Sequence, residues 1–453
     1  FSTGRIDTRR YFDWNEPDSA YQSYYPSGNP KEFGTFENGR KTGLWSVWYA
    51  DSTLKMQEHY YSEDSVKLVT FYAPDGTPLV VNGNGEMTDH YDNGVIRSRE
   101  TYTDGWMTGE SITNYPDGTL RTKGRYERGA KTGEWEYYFD SGVLWKKTEY
   151  ALDTLHGVYL ENFDSGDTAI VGRFSNGEKH GVWTFHREEG HKEMEGPFVD
   201  DKRSGTWTYW YPNGTVQTVG EWKDGKKQGE WVFRYADGSM WRKGDYADDR
   251  KQGLWTTWFE SGTKLQEGVY ENDLEEGVWK SWFENGNPKD EGNFVKGRLE
   301  GAWKGWYPNG NPRYMGAWSN DLKSGQWKHF HPNGTEEENA YYRDGKRHGP
   351  YALYSEHGIP IEQGMYEEGR PTGKWIYFFP EGGKQREVEY LNGKIHGRMT
   401  QYHRRGGQPE TVEEYVNGVR HGLSTTYSPR GNVILKVQFE NGRRVRTVED
   451  NRK

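Results

Sequence analysis

Histidine stands one residue ahead of a glycine at His156, His180, His348, His396 and His421. Imidazole is a zinc ligand, but zinc needs its ligand nitrogens about 2 Å from one ion. Neighbours in this series lie a repeat unit apart, about 10 Å across a sheet at two strands per unit. They predict no shared metal. His329 and His331 fall on one face of one strand and read as a surface pair. Gly220 to Lys227 has the G-x-x-x-x-G-K spacing of a phosphate loop without its final Ser or Thr. Gly34 to Thr42 and Gly124 to Thr132 carry one residue too many. A phosphate loop works by leading a strand into a helix whose amides hold the anion; these segments lead into further strands. Acidic residues are spread through every turn, and no Ser-His-Asp set stands out. The sequence assigns no catalytic residue, no metal ligand and no cofactor, and an enzyme is not expected.

Two other sets point to binding. A basic row includes Lys179, Arg203, Lys227, Lys251, Lys323, Arg347, Arg370 and Lys394. Stacked along one edge, such residues could attract anionic lipid headgroups, although adjacent Asp and Glu offset the field. The second set is aromatic. Period-two alternation sends Trp207, Trp231, Trp255, Trp279, Trp303 and Trp327 to one sheet face, and Trp210, Trp258, Trp282 and Trp306 to the other. Large apolar surfaces mark interaction sites, and Trp dominates binding hot spots. These rows are expected to form an exposed protein-binding surface.

The frame that places these residues is a lattice of glycines. Glycine recurs every 24 residues from Gly85 to Gly397, giving fourteen anchors in register. A second glycine follows nine residues on, as in Gly214 and Gly238, and a third fifteen on, as in Gly244 and Gly268. Such a period signals a repeat architecture. Each unit holds two short runs rich in Trp, Tyr, Phe and Thr, bounded by Gly, Asn, Asp and Pro, which read as strands. Tyr211-Pro-Asn-Gly214 is a hairpin turn: Pro presets φ and Gly supplies the left-handed residue. The second turn, Lys223 to Gly229, is expected to be longer and charged. The unit has no room for a helix, so the fold class is all-β, an elongated single-layer antiparallel meander.

Anchors at Ser19, Gly43 and Lys67, the fourteen glycines, and Gly422 make 18 hairpin units. At about 4.8 Å per strand they would extend about 170 Å as a twisted ribbon or trough. Residues 1–18 are predicted to be a leader or edge cap carrying Trp14, residues 19–442 the repeat array, and residues 443–453 a disordered charged tail. Only 18 residues separate Lys67 from Gly85, which predicts a kink, a bulge or a shortened hairpin within residues 50–90.

Composition agrees with a repeat array. Hydrophobic residues are 32% of the chain, and aromatics at 16% make up half of them, too few aliphatics for a conventional core. Net charge is −10 and the pI about 5.8, which excludes a basic nucleic-acid footprint. No apolar run approaches the ~20 residues of a membrane helix. Cysteine is absent, which removes disulfides and thiolate chemistry. The chain opens at Phe1, as after removal of a targeting segment; an exported bacterial envelope protein or a processed mitochondrial one would fit.

The recurring Y-P-N-G and G-x-W, with Tyr366-Glu-Glu-Gly369-Arg-Pro-Thr-Gly373, resemble MORN-type repeats, specifically the bacterial YwqK-family variety, over residues 19–442. The resemblance implies single-layer hairpin sheets that act as scaffolds within larger assemblies and bind protein partners. Choline- and wall-binding repeats look similar but have a period near 20, so a carbohydrate-binding or cell-wall-binding protein is the alternative, with peripheral attachment to an anionic membrane surface the third.

Overall fold

The computed structural model describes residues 8–13, 16–62 and 65–452. Among them there are 39 strands and no helix. The chain divides into two compact units, Phe1–Lys226 and Lys227–Lys453, each an antiparallel meander in which successive strands pair.

One period is a nine-residue strand such as Arg250–Trp258, a five-residue turn, an eight-residue strand such as Lys264–Glu271, and two turn residues before the next strand opens at Leu274. The anchor glycine is the fourth residue of the longer strand. The first turn closes as its composition requires: the Gly262 N–H donates to Phe259 O at 2.9 Å, with Gly262 at φ 85°. The second is shorter than expected. Asn272 and Asp273 alone turn the chain, at φ 51° and 70°, the geometry of the two-residue hairpins that suit twisted strands. Asn and Asp tolerate it because their short side chains bond locally. The following charged residues belong to the next strand.

Two glycines of each period serve different physical ends. Gly253, at φ +68°, bulges its strand: Lys243 pairs with Thr256 and Asp245 with Gln252, so three residues face Gly244. The bulge lays the Trp255 indole flat on Gly244, where a Cβ would stand 2.2 Å from the ring. The indole N–H then donates to Asp245 O at 3.1 Å. The same overlay recurs at Gly34–Trp45, Gly124–Trp135, Gly172–Trp183, Gly268–Trp279, Gly316–Trp327 and Gly364–Trp375. Where the cross-strand neighbour is smaller or slimmer than Trp, the glycine is gone: Thr148 pairs with Tyr159, Ala340 with Tyr351, Val388 with Met399 and Glu413 with Ser424. Packing volume is conserved position by position.

The short period is a shortened hairpin. Pro78–Val81 has four residues in place of eight, and the anchor Gly85 is second in its strand, Asn84–His90, rather than fourth. Those four plus two account for the six missing residues. The gap is stitched by three hydrogen bonds joining two turns to the strand Ser65–Tyr72: Gly83 N–H bonds Val69 O (2.8 Å), Gly105 N–H bonds Gly83 O (2.9 Å), and Leu68 N–H bonds Gly105 O (3.0 Å).

The termini differ from expectation. Arg443–Asp450, expected to be a disordered tail, is a strand paired with Val433–Glu440. Its predecessor offers an open edge, and alternate residues Val445 and Thr447 suit a strand. Within the expected leader, Thr8–Asp13 pairs with Glu16–Tyr24; residues 1–7 and Trp14 lie outside the described residues.

Candidate functional site

The residues that could bind lie on the two sheet faces, and the bulge decides which are covered. Trp207 (0% exposed), Trp231, Trp255, Trp279 and Trp327 are buried, and Trp303 is half-buried. The expectation of an exposed indole row on this face is therefore corrected: these rings form the core. Edge-to-face partners enclose each one, such as Tyr246 against Trp255 at 5.1 Å and Trp318 against Trp327 at 5.1 Å. Such pairs add about 0.5–1.5 kcal/mol beyond burial. Trp210, Trp258, Trp282 and Trp306, on the other face, are half-buried.

The basic row is likewise redistributed. Residues two before the anchor face the indoles and cross-strand neighbours of aromatic rings, as Lys251 faces Tyr246 and Lys323 faces Trp318. Their charged ends fold over the core. Lys179 stands 4.9 Å from the Trp183 centroid, Arg203 4.6 Å from Trp207, and Lys227 4.9 Å from Trp231. Lys251 lies over Trp255 at 5.3 Å, Lys323 over Trp327 at 4.3 Å, and Arg347 over Tyr351 at 4.8 Å. Burial holds the Lys323 ammonium below its ordinary pKa, and burial with Arg242 nearby does the same to Lys251. Arg370 and Lys394 stand three before their anchors, one residue out of phase, and are exposed. The single expected edge is thus two sets on opposite faces, because adjacent strand residues alternate.

His156, His348 and His396 cap turns. The Asn417 N–H donates to His396 Nδ1 at 3.3 Å and the Glu368 N–H to His348 Nδ1 at 3.4 Å. Gln252 Oε1 takes the Asn272 N–H in the same way at 3.1 Å. His331 Nε2 meets Tyr354 O at 2.9 Å, while His329 stacks on Trp327. Among the described residues no His, Cys, Asp and Glu gather in threes as a metal site would require. The phosphate-loop lookalikes run from strand to strand, as at Leu120–Glu127 and Ala130–Tyr138.

Two features escaped the reading of the sequence. The first is an aliphatic stripe on the face away from the indoles. Leu254 (54% exposed) pairs across strands with Val269 (40%), and Val278 (55%) follows one period later. Its signal was the residue between anchor and Trp, which alternation must turn outward. The second is a pocket of about 320 Å³ lined by Gln266, Trp279, Lys280, Ser281, Asp290, Phe294, Trp303 and Tyr314. Four residues after the anchor, other periods of this unit place Phe233, His329 or Tyr377 beside their indoles. Here Ser281 and Gly305 stand instead, and Tyr314 lies on Gly305 where a Cβ would clash at 2.2 Å. The Tyr314 hydroxyl donates to Asp290 at 2.9 Å; burial and that bond push its pKa up to about 12, so it remains a donor at neutral pH.

A family model of the MORN repeat variant matches residues 131–151, 203–224, 251–272, 275–296 and 299–320. These are MORN repeats. Each matched segment runs from the residue two before an anchor past the aromatic seventeen residues after that anchor, one hairpin of the array. No curated protein matches the chain. Among solved structures it is similar to TcdB2-TccC3 at 11% identity, over 96% of this chain and 27% of that one, with a TM-score of 0.14. The TcdB2-TccC3-Cdc42 crystal structure matches at 9% identity over 96% and 27%, with a TM-score of 0.15. A mutant Photorhabdus luminescens Tc holotoxin pore matches at 12% over 97% and 25%, with a TM-score of 0.14. The chain spans about a quarter of the length of these proteins.

Proposed function

We propose that this protein is a non-catalytic docking scaffold, a subunit that presents a repeating MORN surface to protein partners in a larger assembly. The observation that carries the reading is the aliphatic stripe of Leu254, Val269 and Val278, which lies on the face away from the indole core. Exposed apolar strips with polar surroundings are where partners dock, and repeat arrays use extended faces for binding. Against a sugar-binding reading, the indole row that includes Trp207 and Trp327 is covered, and Trp145 and Trp241 are exposed only in part. Against a lipid-binding edge, Lys227 and Lys323 lie over aromatic rings, leaving Arg370 and Lys394 as the exposed cations of the expected row.

Gentle purification from the native source, with size-exclusion chromatography and mass spectrometry, tests it. Co-elution with stoichiometric protein partners is expected, and a Leu254→Glu, Val278→Glu double variant that keeps its circular dichroism should lose them. Elution as the chain alone would refute stable scaffolding.

A further inference from the structure

The second unit supplies its own template for what the Trp279–Trp303 pocket binds. Trp231, Trp255, Trp327 and Tyr351 each carry over the ring a Lys or Arg from two residues before the anchor, and Trp255 carries Arg242 as well. In the two intervening periods that position holds Glu275 and Leu299. Among the described residues no cation lies over Trp279 or Trp303. Trp375 also lacks one, with Pro371 in the position, but Tyr351, Tyr366, Tyr377 and Tyr390 close over it. Trp279 and Trp303 keep edge-to-face partners in Tyr270 and Phe294, but the ring that Tyr377 supplies four residues after its anchor is replaced by Ser281 and Gly305. What remains is a cavity walled by Trp279, Phe294, Trp303 and Tyr314 with the Asp290 carboxylate in its lining, and Arg313 lies over the Tyr314 ring alone at 5.2 Å. Arg313 and the Tyr314 hydroxyl both take Asp290 Oδ1, at 3.2 and 2.9 Å; Oδ2 has only Ser281 Oγ at 3.4 Å. Glu275, which holds the neighbours' cation position, lies outside the cavity lining and hydrogen-bonds the Tyr270 side chain across the strand pair.

We infer that this pocket takes a lysine or arginine side chain from a partner polypeptide, completing between molecules the cation–aromatic pattern its neighbours complete within the chain. Ammonium and guanidinium groups over aromatic faces are attracted by the ring quadrupole, and Asp290 Oδ2 offers a charge-assisted hydrogen bond. The inference rests on the docking reading and names the chemistry of the partner at one point of the surface.

The test is titration of the full chain with acetyl-Gly-Lys-Gly-amide, its Nε-acetyl-lysine counterpart and choline, followed by tryptophan fluorescence and calorimetry. Saturable binding of the lysine peptide is expected, at least tenfold weaker when the lysine is acetylated. A Glu275→Lys, Leu299→Lys variant, copying Lys251 and Lys323, plugs the site and should lose at least tenfold in affinity. Ser281→Phe, which restores the ring that Phe233 supplies, is the second variant and should do the same if the first fails to fold. No saturable binding, equal binding of the acetylated peptide, or unchanged binding by a folded plugged variant overturns the inference. Choline binding tighter than the lysine peptide overturns the polypeptide assignment. A protein that keeps its partners in the purification yet fails the titration loses the pocket alone; one that elutes alone loses the docking reading as well.

Discussion

Gly364 and Trp375 allow the packing rule to be tested as a double-mutant cycle. Gly364 has no left-handed backbone requirement, so valine suits its strand conformation and only the indole opposes it. A Cβ there would lie 2.2 and 2.3 Å from Trp375 Cδ2 and Cε2, and the ring is 2% exposed. Valine must therefore expel the ring. A buried Trp covers roughly 150–250 Å², worth about 4–6 kcal/mol at 25 cal/mol per Å². Losing the indole bond to Met365 O (3.1 Å) adds about 1 kcal/mol, and burying valine returns about 1.5–3 kcal/mol. Gly364→Val should thus cost about 2–5.5 kcal/mol, and Trp375→Met about 3 kcal/mol as a large-to-small change. The double variant reproduces Val388 facing Met399, and should fall about 3 kcal/mol below the sum of the singles, the upper range for contacting pairs. Because repeat arrays open locally, the readout is amide hydrogen exchange of Pro360–Glu367 and Arg370–Phe378. Additivity within about 0.5 kcal/mol would refute the claim that glycine is present to seat the indole.

The shortened hairpin and one half-buried imidazole give two further tests. Gly105→Ala should destabilise the first unit by about 1–3 kcal/mol more than Gly94→Ala: both sit at φ +83°, but only at Gly105 does a Cβ meet Lys67 Cβ, at 2.8 Å. Equal losses in denaturant melts would mean the stitch is slack. Burial, then Lys323, lowers the His329 pKa below 6.5, against the opposing pull of Glu338 and Glu337 and with Arg313 adding to it. The unfolded chain then binds more protons than the folded one in the window from the folded pKa up to 6.5, so stability rises with pH there. Melting temperature should fall less between pH 7 and pH 5 in His329→Phe than in the parent; an equal fall would remove His329 from the acid sensitivity.

How much of this was legible in the sequence follows the range of the forces. The hairpins, the strand content and the turn glycines were readable because turn chemistry and side-chain alternation act over a few residues. The missing six residues near Gly85 located the shortened hairpin for the same reason. The repeat family was readable from Gly-x-Trp and Tyr-Pro-Asn-Gly. Burial was not. Alternation separates Trp207 from Trp210 but cannot say which face the chain covers, and the bulge at each anchor shifts register by two residues without altering the period. That shift sets Trp255 on Gly244, eleven positions back, and folds Lys251 over the ring rather than into solvent. Even Arg370 and Lys394 looked like members of one basic row until strand phase placed them opposite. Order along the chain determined the parts and their repeat; cross-strand register, a tertiary quantity, decided which aromatics became core, which cations were spent on covering them, and where a pocket was left without one.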